Sequence, residues 1–225
     1  MTAFGEQGFE IVPRLFETEV LLSIISALND STLRHGRAGI RNAFQIEAVR
    51  SLASEERLMV LPREILGANA IPFRATLFDK SPRSNWLVVW HQDTALPLRD
   101  RRETPDWGPW SVKEGVICAH APASALEQVL AIRVHLDDST EENGPLKVLP
   151  GTHGMGVLTD DAIHDLAIAR PAVECHVPAG GILLMRPLLV HASSKVNASS
   201  KSRRVLHIEY AARTCFTGGI ELAVS

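Results

Sequence analysis

The chain has 225 residues, 45% of them apolar and 22% charged, with a formal net charge of −3. That is ample for one soluble globular domain with a sizeable core, and the slight acidic excess argues against a general nucleic-acid binder. No run is long and apolar enough to span a bilayer, because the most apolar stretch, 181–190, contains Arg186 and Pro187.

The chain opens on 1–7 without a basic segment leading into an apolar one, so no signal peptide is expected. Apolar residues at helical spacing, Val20, Leu21, Ile24, Ile25 and Leu28, predict a helix over 17–28. A second helical stretch is predicted over about 46–66, interrupted at Ser54, read as an N-cap, and again at Pro62. From Ile71 the pattern becomes strand-like, with strands predicted over 73–78 and 86–90 around a turn rich in Ser, Pro and Asn. The segment from Asp93 to Leu130 reads as a long irregular loop. Residues 130–136 alternate, with Ile132, Val134 and Leu136 on one face and Arg133 and His135 on the other. Asn143-Gly144 marks a turn, and a helix is predicted from a Thr159 cap to just before Pro171. Strands then follow over 172–177, 182–185, 188–192 and 203–212. Many short strands bounded by Gly and Pro predict a sandwich or barrel. No repeat or linker divides the chain, so a single domain over 1–225 is expected, helical to about 70 and a β-body over about 71–213.

The cysteines, Cys118, Cys175 and Cys215, are odd in number and far apart. They suggest neither a zinc ribbon nor a disulfide framework, and a cytoplasmic location is expected.

Two segments carry chemistry. In Trp90-His91-Gln92-Asp93, residues two apart on an extended segment point the same way, so His91 and Asp93 can reach one ion together. His191, after the apolar run Leu188-Leu189-Val190, can deliver a second imidazole. Two imidazoles and one carboxylate form the ligand set of a non-haem Fe(II) site with one face open. His135-Leu136-Asp137 has the same spacing but runs into an acidic turn, and is expected to line the cavity or pair with a neighbour rather than bind metal. Arg203 and Arg204 open the last strand, and one of them must face inward. If Arg203 does, its guanidinium can grip the far end of a dicarboxylate whose other end chelates the metal, with help from the Ser193 hydroxyl. The ordinary alternative leaves both arginines solvated at a strand edge. His207 shares parity with Arg203, and His120 sits where it could edge the mouth. Trp107 and Trp110 are read either as a cap over an apolar substrate or as loop packing, and Arg99, Arg101 and Arg102 as a solvated charged loop.

The chain resembles the phytanoyl-CoA dioxygenase family of Fe(II)/2-oxoglutarate-dependent oxygenases. The matching pieces are Trp90-His91-Gln92-Asp93, residues 133–140, residues 142–153 with their Asn143-Gly144-Pro145 and Pro150-Gly151-Thr152-His153, and residues 187–194 with Asn197 and Arg203-Arg204. The resemblance implies a mainly β fold with flanking α-helices, a double-stranded β-helix of the jelly-roll, cupin-like kind. It implies His91, Asp93 and His191 as iron ligands, Arg203 as the anchor of the 2-oxoglutarate C5 carboxylate and Ser193 as its helper. The implied reaction consumes 2-oxoglutarate and O2, releases succinate and CO2, and hydroxylates an aliphatic C–H of a small organic molecule. The interval from His191 to Arg203 is about one residue longer than the family pattern, so Arg204 stays open as the anchor, and Gly180-Gly181 stands where many members have Gly-Asp. Two other readings remain at this stage: a cupin-like metalloenzyme that does not use 2-oxoglutarate, and a degenerate, non-catalytic ligand-binding member. The sequence leaves the substrate and the oligomeric state open.

Overall fold

The computed structural model describes residues 2–36, 39–82, 84–196 and 201–224. Asn197 lies outside the described residues. In chain order the first part comprises α1 (Thr2–Gln7), β1 (Phe9–Val12), α2 (Thr18–Asn29), β2 (Gly39–Ile40), α3 (Glu47–Ala53), α4 (Glu56–Leu66) and β3 (Ile71–Lys80). The middle holds β4 (Val88–His91), β5 (Ala95–Leu98), β6 (Trp110–Lys113), β7 (Val116–His120), α5 (Ala123–Leu126) and β8 (Val129–His135). The last part holds β9 (Leu146–Val148), α6 (Asp160–Ala169), β10 (Val173–Cys175), β11 (Ile182–Met185), β12 (His191–Ser193), β13 (Arg203–Ala211), β14 (Cys215–Phe216) and β15 (Ile220–Glu221).

A six-stranded sheet in the order β1-β11-β8-β13-β3-β2 faces a four-stranded sheet in the order β10-β9-β12-β4. The pairings in both are antiparallel. This is the mainly β, jelly-roll architecture that the sequence predicts.

Alternation explains why the large sheet is buried on both faces. Ala75, Leu77, Ile132, Val134, Leu206, Ile208 and Tyr210 turn outward and pack with Leu21, Ile24, Val49, Leu52 and Leu58 of the helices. Burying each such Leu or Ile side chain contributes about 2 kcal/mol. The Tyr210 hydroxyl donates to the Ala53 carbonyl at 3.0 Å, which ties the sheet to α3. The intervening residues turn inward. Part of that inner face is apolar, where Ala131, Leu183 and Met185 meet Leu146, Val148 and Leu189 from the small sheet and its approach. The rest lines a cavity of about 540 Å³.

Several expectations need correction. Pro62 is buried inside α4 rather than ending it, so packing outweighs the lost backbone donor. Ser54 closes α3, and Glu55 precedes α4 without a side-chain cap bond. Thr159 does cap α6, its hydroxyl accepting from the Ala162 N–H at 3.2 Å. The run 188–190 is a turn rather than a strand, with the Leu189 N–H donating to the Arg186 carbonyl at 3.1 Å, so His191 begins its strand instead of ending it. A short apolar run does not distinguish a strand from a buried turn. The segment 94–129, read as an irregular loop, contains a three-stranded sheet in the order β5-β7-β6. Its Pro97 lies on an edge strand, where a missing N–H costs least.

Candidate metal centre

His91 ends β4 and His191 begins β12, and the two are direct partners across the antiparallel pair. Their ring centroids are 4.2 Å apart. Asp93 follows two residues after His91, held by its N–H, which donates to the Pro187 carbonyl at 2.9 Å. Each imidazole is oriented from behind. His91 Nδ1 lies 2.8 Å from the Val89 carbonyl and His191 Nδ1 lies 2.8 Å from the Leu189 carbonyl. A carbonyl only accepts, so Nδ1 carries the proton on both rings and each Nε2 presents its lone pair inward. Those Nε2 atoms stand 3.8 Å and 3.6 Å from the two oxygens of Asp93. One ligand atom from each of the three residues lies within 4.8 Å of the others.

The electrostatics suit a cation. Burial pushes Asp93 up, but His191, His207, His91 and Arg74 outweigh it and hold the carboxyl well below the usual carboxylate range. Burial pushes His191 down to about 4 against the opposing pull of Asp93, so its imidazole is neutral at physiological pH. Two imidazoles and a carboxylate on one side fit a divalent first-row metal such as Fe(II), with other positions open to ligands.

The arginine pair resolves by position. Arg204 turns outward and binds both oxygens of Asp137 at 2.8 Å. Arg203 turns inward and is buried, its Nε donating to the Asn143 carbonyl at 3.2 Å and its Nη2 lying 3.5 Å from the Ser193 hydroxyl. Its Nη1 is buried with no partner among the described residues. An orphaned guanidinium donor beside a hydroxyl fits a carboxylate that belongs there. The Ser193 hydroxyl donates to the Gly144 carbonyl and accepts from the Lys80 ammonium, both at 2.8 Å. Gly144 has φ +68, and a Cβ there would stand 2.4 Å from the Ser194 carbonyl oxygen. Only glycine lets this turn approach so closely.

The second His-x-Asp is separate from the cluster. His135 is buried with neither ring nitrogen bonded among the described residues, and Asp137 is committed to Arg204. His207 lines the cavity as its parity predicts. His120 sits at the surface, its Nδ1 2.7 Å from the Thr94 hydroxyl. Trp107 packs in a core with Phe216, ring centroids 5.8 Å apart, and neither it nor Trp110 lines the cavity, where Trp86 does. Arg99 and Arg101 form exposed pairs with Asp100, Glu221 and Glu103.

The sequence offers Lys80 and Arg74 as residues that could face the cavity, but parity alone does not choose the side of the strand. The pairing does: opposite Arg203 on β13 stands Lys80 of β3, and opposite His207 stands Arg133 of β8. Arg74 binds Glu209 through both carboxylate oxygens, and both line the cavity.

Facing antiparallel sheets with a two-His, one-carboxylate cluster on the cavity wall define a jelly-roll protein with a candidate metal centre. The chain belongs to the phytanoyl-CoA dioxygenase (PhyH) family, whose pattern matches residues 4–205. It is 26% identical over 179 residues to L-proline trans-4-hydroxylase of Streptomyces griseoviridis, covering 68% of this chain and 59% of that protein. It is 24% identical to ectoine dioxygenase of Halomonas elongata, covering 86% of this chain and 64% of that one. The chain thus spans about three fifths of the length of these curated relatives. The fold is shared with HygX from Streptomyces hygroscopicus, whose structure has nickel and 2-oxoglutarate bound, at TM-score 0.65 and 17% identity, covering 92% of this chain and 83% of that one.

Proposed function

We propose that this protein is an Fe(II)- and 2-oxoglutarate-dependent dioxygenase that hydroxylates an aliphatic C–H of a small organic molecule. The observation that carries the reading is the convergence of His91, Asp93 and His191, each imidazole locked by a backbone carbonyl with Nε2 turned inward. These three would hold Fe(II). Arg203 and Ser193, with Lys80 behind them, would hold the distal carboxylate of 2-oxoglutarate. When bound, iron with 2-oxoglutarate and O2 supplies the oxidising chemistry, releasing succinate and CO2.

The protein's own part is ligation, orientation and exclusion of water. Asp93 stays ionised and His191 stays neutral, so no proton competes at those two atoms near neutral pH. The orphaned Nη1 of Arg203 favours this reading over a cupin-like enzyme that does not use 2-oxoglutarate. The names of the relatives support hydroxylation of a small molecule, and HygX supports the pairing of a metal with 2-oxoglutarate. The reading treats 1–225 as one domain, supported by the helices and the large sheet sharing a core. A cytoplasmic location belongs to the same proposal and is supported by three free cysteines. Among the described residues no helix is long and apolar enough to cross a membrane.

The test is succinate formation by anaerobically reconstituted protein given Fe(II), 2-oxoglutarate and then O2. Slow turnover without substrate, lost in Asp93→Ala and His191→Ala, is expected. Equal succinate from wild type and both variants would overturn the reading.

A further inference from the structure

The proposed metal and co-substrate leave one buried guanidinium unaccounted for. The cavity wall carries Arg41, Arg74, Lys80, Lys113, Arg133 and Arg203 against two carboxylates, Asp93 and Glu209. Glu209 is engaged by Arg74 through both oxygens. Asp93 and the near end of 2-oxoglutarate together balance a divalent metal, and the far end balances Arg203. Lys80 lies behind Ser193 and donates to it and to the Ser194 carbonyl. Arg133 is left over.

Its surroundings are unusual for a guanidinium. Arg133 is 6% exposed and lines the cavity, yet it bonds no carboxylate among the described residues. Its Nη1 lies 3.2 Å from Nδ1 of His207, and the Phe78 ring lies 5.2 Å from its central carbon. Its Nε is buried with no partner among the described residues. A buried guanidinium bonded only to an imidazole and packed on a ring, with Asp93 the nearest carboxylate to act on it and not bonded to it, is costly unless an anion completes it. A guanidinium whose fork is not taken by a protein carboxylate is suited to the two oxygens of a ligand carboxylate. Arg133 lines the same cavity as His91, Asp93 and His191. A substrate held there would lie within reach of the reacting centre. Two more cations, Lys113 and Arg41, the latter 3.9 Å from the Glu114 carboxylate, also line the cavity.

We propose that Arg133 is the receptor for a carboxylate of the primary substrate, so that the enzyme acts on small carboxylic acids. This rests on the function proposed above, because it is the assigned metal and 2-oxoglutarate that leave Arg133 over.

The test is binding without turnover. Protein loaded anaerobically with Fe(II) and saturating 2-oxoglutarate is titrated by calorimetry with L-proline, cyclohexanecarboxylate and benzoate, and with their primary amides. At least one acid is expected to bind about tenfold or more tightly than its amide. Arg133→Met should abolish that preference while leaving 2-oxoglutarate affinity within about threefold, and Arg133→Lys should keep part of it. No binding by any acid, equal binding of acids and amides, or a preference that survives Arg133→Met overturns the proposal. So does a loss of 2-oxoglutarate affinity in Arg133→Met as large as that in Arg203→Ala, which would assign Arg133 to the co-substrate. The acid–amide comparison in wild type needs no variant to fold. Succinate formation by the same preparation reads the proposed activity separately, and its absence overturns that activity without bearing on the acid preference.

Discussion

The Lys80 ammonium and the Ser193 hydroxyl meet at 2.8 Å across the gap between the two sheets, and the Arg203 guanidinium approaches the same hydroxyl at 3.5 Å. Burial first, then the charges of Arg203 and Arg133, push Lys80 down to about 7. At pH 8 it is mostly neutral in the free protein. The arrival of a carboxylate beside Arg203 offsets that charge, brings a negative charge close to Lys80 and restores the proton. Binding of 2-oxoglutarate therefore takes up a proton above pH 7, and affinity falls as pH rises, by up to about tenfold per unit. Calorimetry at pH 8 in buffers of different ionisation enthalpy should give an uptake approaching one proton, absent in Lys80→Met. Zero uptake in the wild type would refute it.

Arg203 and Arg204 are neighbours in sequence with opposite fates. Removing the inward guanidinium takes away a charge-assisted contact of about 2–3 kcal/mol, so Arg203→Ala should weaken 2-oxoglutarate binding by about 30- to 150-fold. The Arg204–Asp137 pair is about a quarter exposed. Its loss in Arg204→Ala should cost about 1 kcal/mol of stability and change affinity less than about threefold. Equal losses of affinity in the two variants would mean that the register is wrong.

The contrast shows what a sequence displays and what it hides. Period-two alternation put Arg133 with His135 on one strand face and His207 with Arg203 on another, without saying which face turns inward, and the ligand triad stood out because His-x-Asp on a strand end is a local pattern. Choosing between Arg203 and Arg204 required the pairing of Arg203 with Lys80, which joins residues far apart in the chain. The sheet formed by β5, β6 and β7 was hidden for a different reason. Pro97 and the charged run 99–103 read as loop, while tertiary pairing decides the state. Trp107 was ambiguous because an aromatic residue in a connecting segment packs as readily as it caps, and its contact with Phe216 comes from a hairpin about a hundred residues later.

The metal ligands themselves give a direct prediction. Anaerobic Fe(II) titration followed by metal analysis should find one ion per wild-type chain. Asp93→Ala and His191→Ala should each weaken that binding by more than about 100-fold, beyond what loss of an outer hydrogen-bond partner costs. Mutating the other His-x-Asp pair, in His135→Gln or Asp137→Asn, should leave the stoichiometry at one, because neither side chain joins the cluster. Retention of stoichiometric tight binding by Asp93→Ala would remove the carboxylate from the ligand set.

Gln92 sits between two of the ligands and works on the opposite side of the strand. Its Nε2 donates to the Leu188 carbonyl at 2.7 Å and to the Gly156 carbonyl at 2.9 Å, and its Oε1 accepts from the Leu158 N–H at 2.9 Å. One buried amide thus ties the end of β4 to the turn before His191 and to the approach to α6. Gln92→Ala leaves these groups without their partner and should cost about 2–3 kcal/mol. At about 2–4 °C per kcal/mol for a chain of this size, the apo protein should melt roughly 5–10 °C lower. Metal affinity should fall too, more weakly than in the ligand variants, because the Leu188 turn aims His191. A melting temperature within about 1 °C of wild type would show that this bridge carries no strain of the fold and that the turn is held by its own packing.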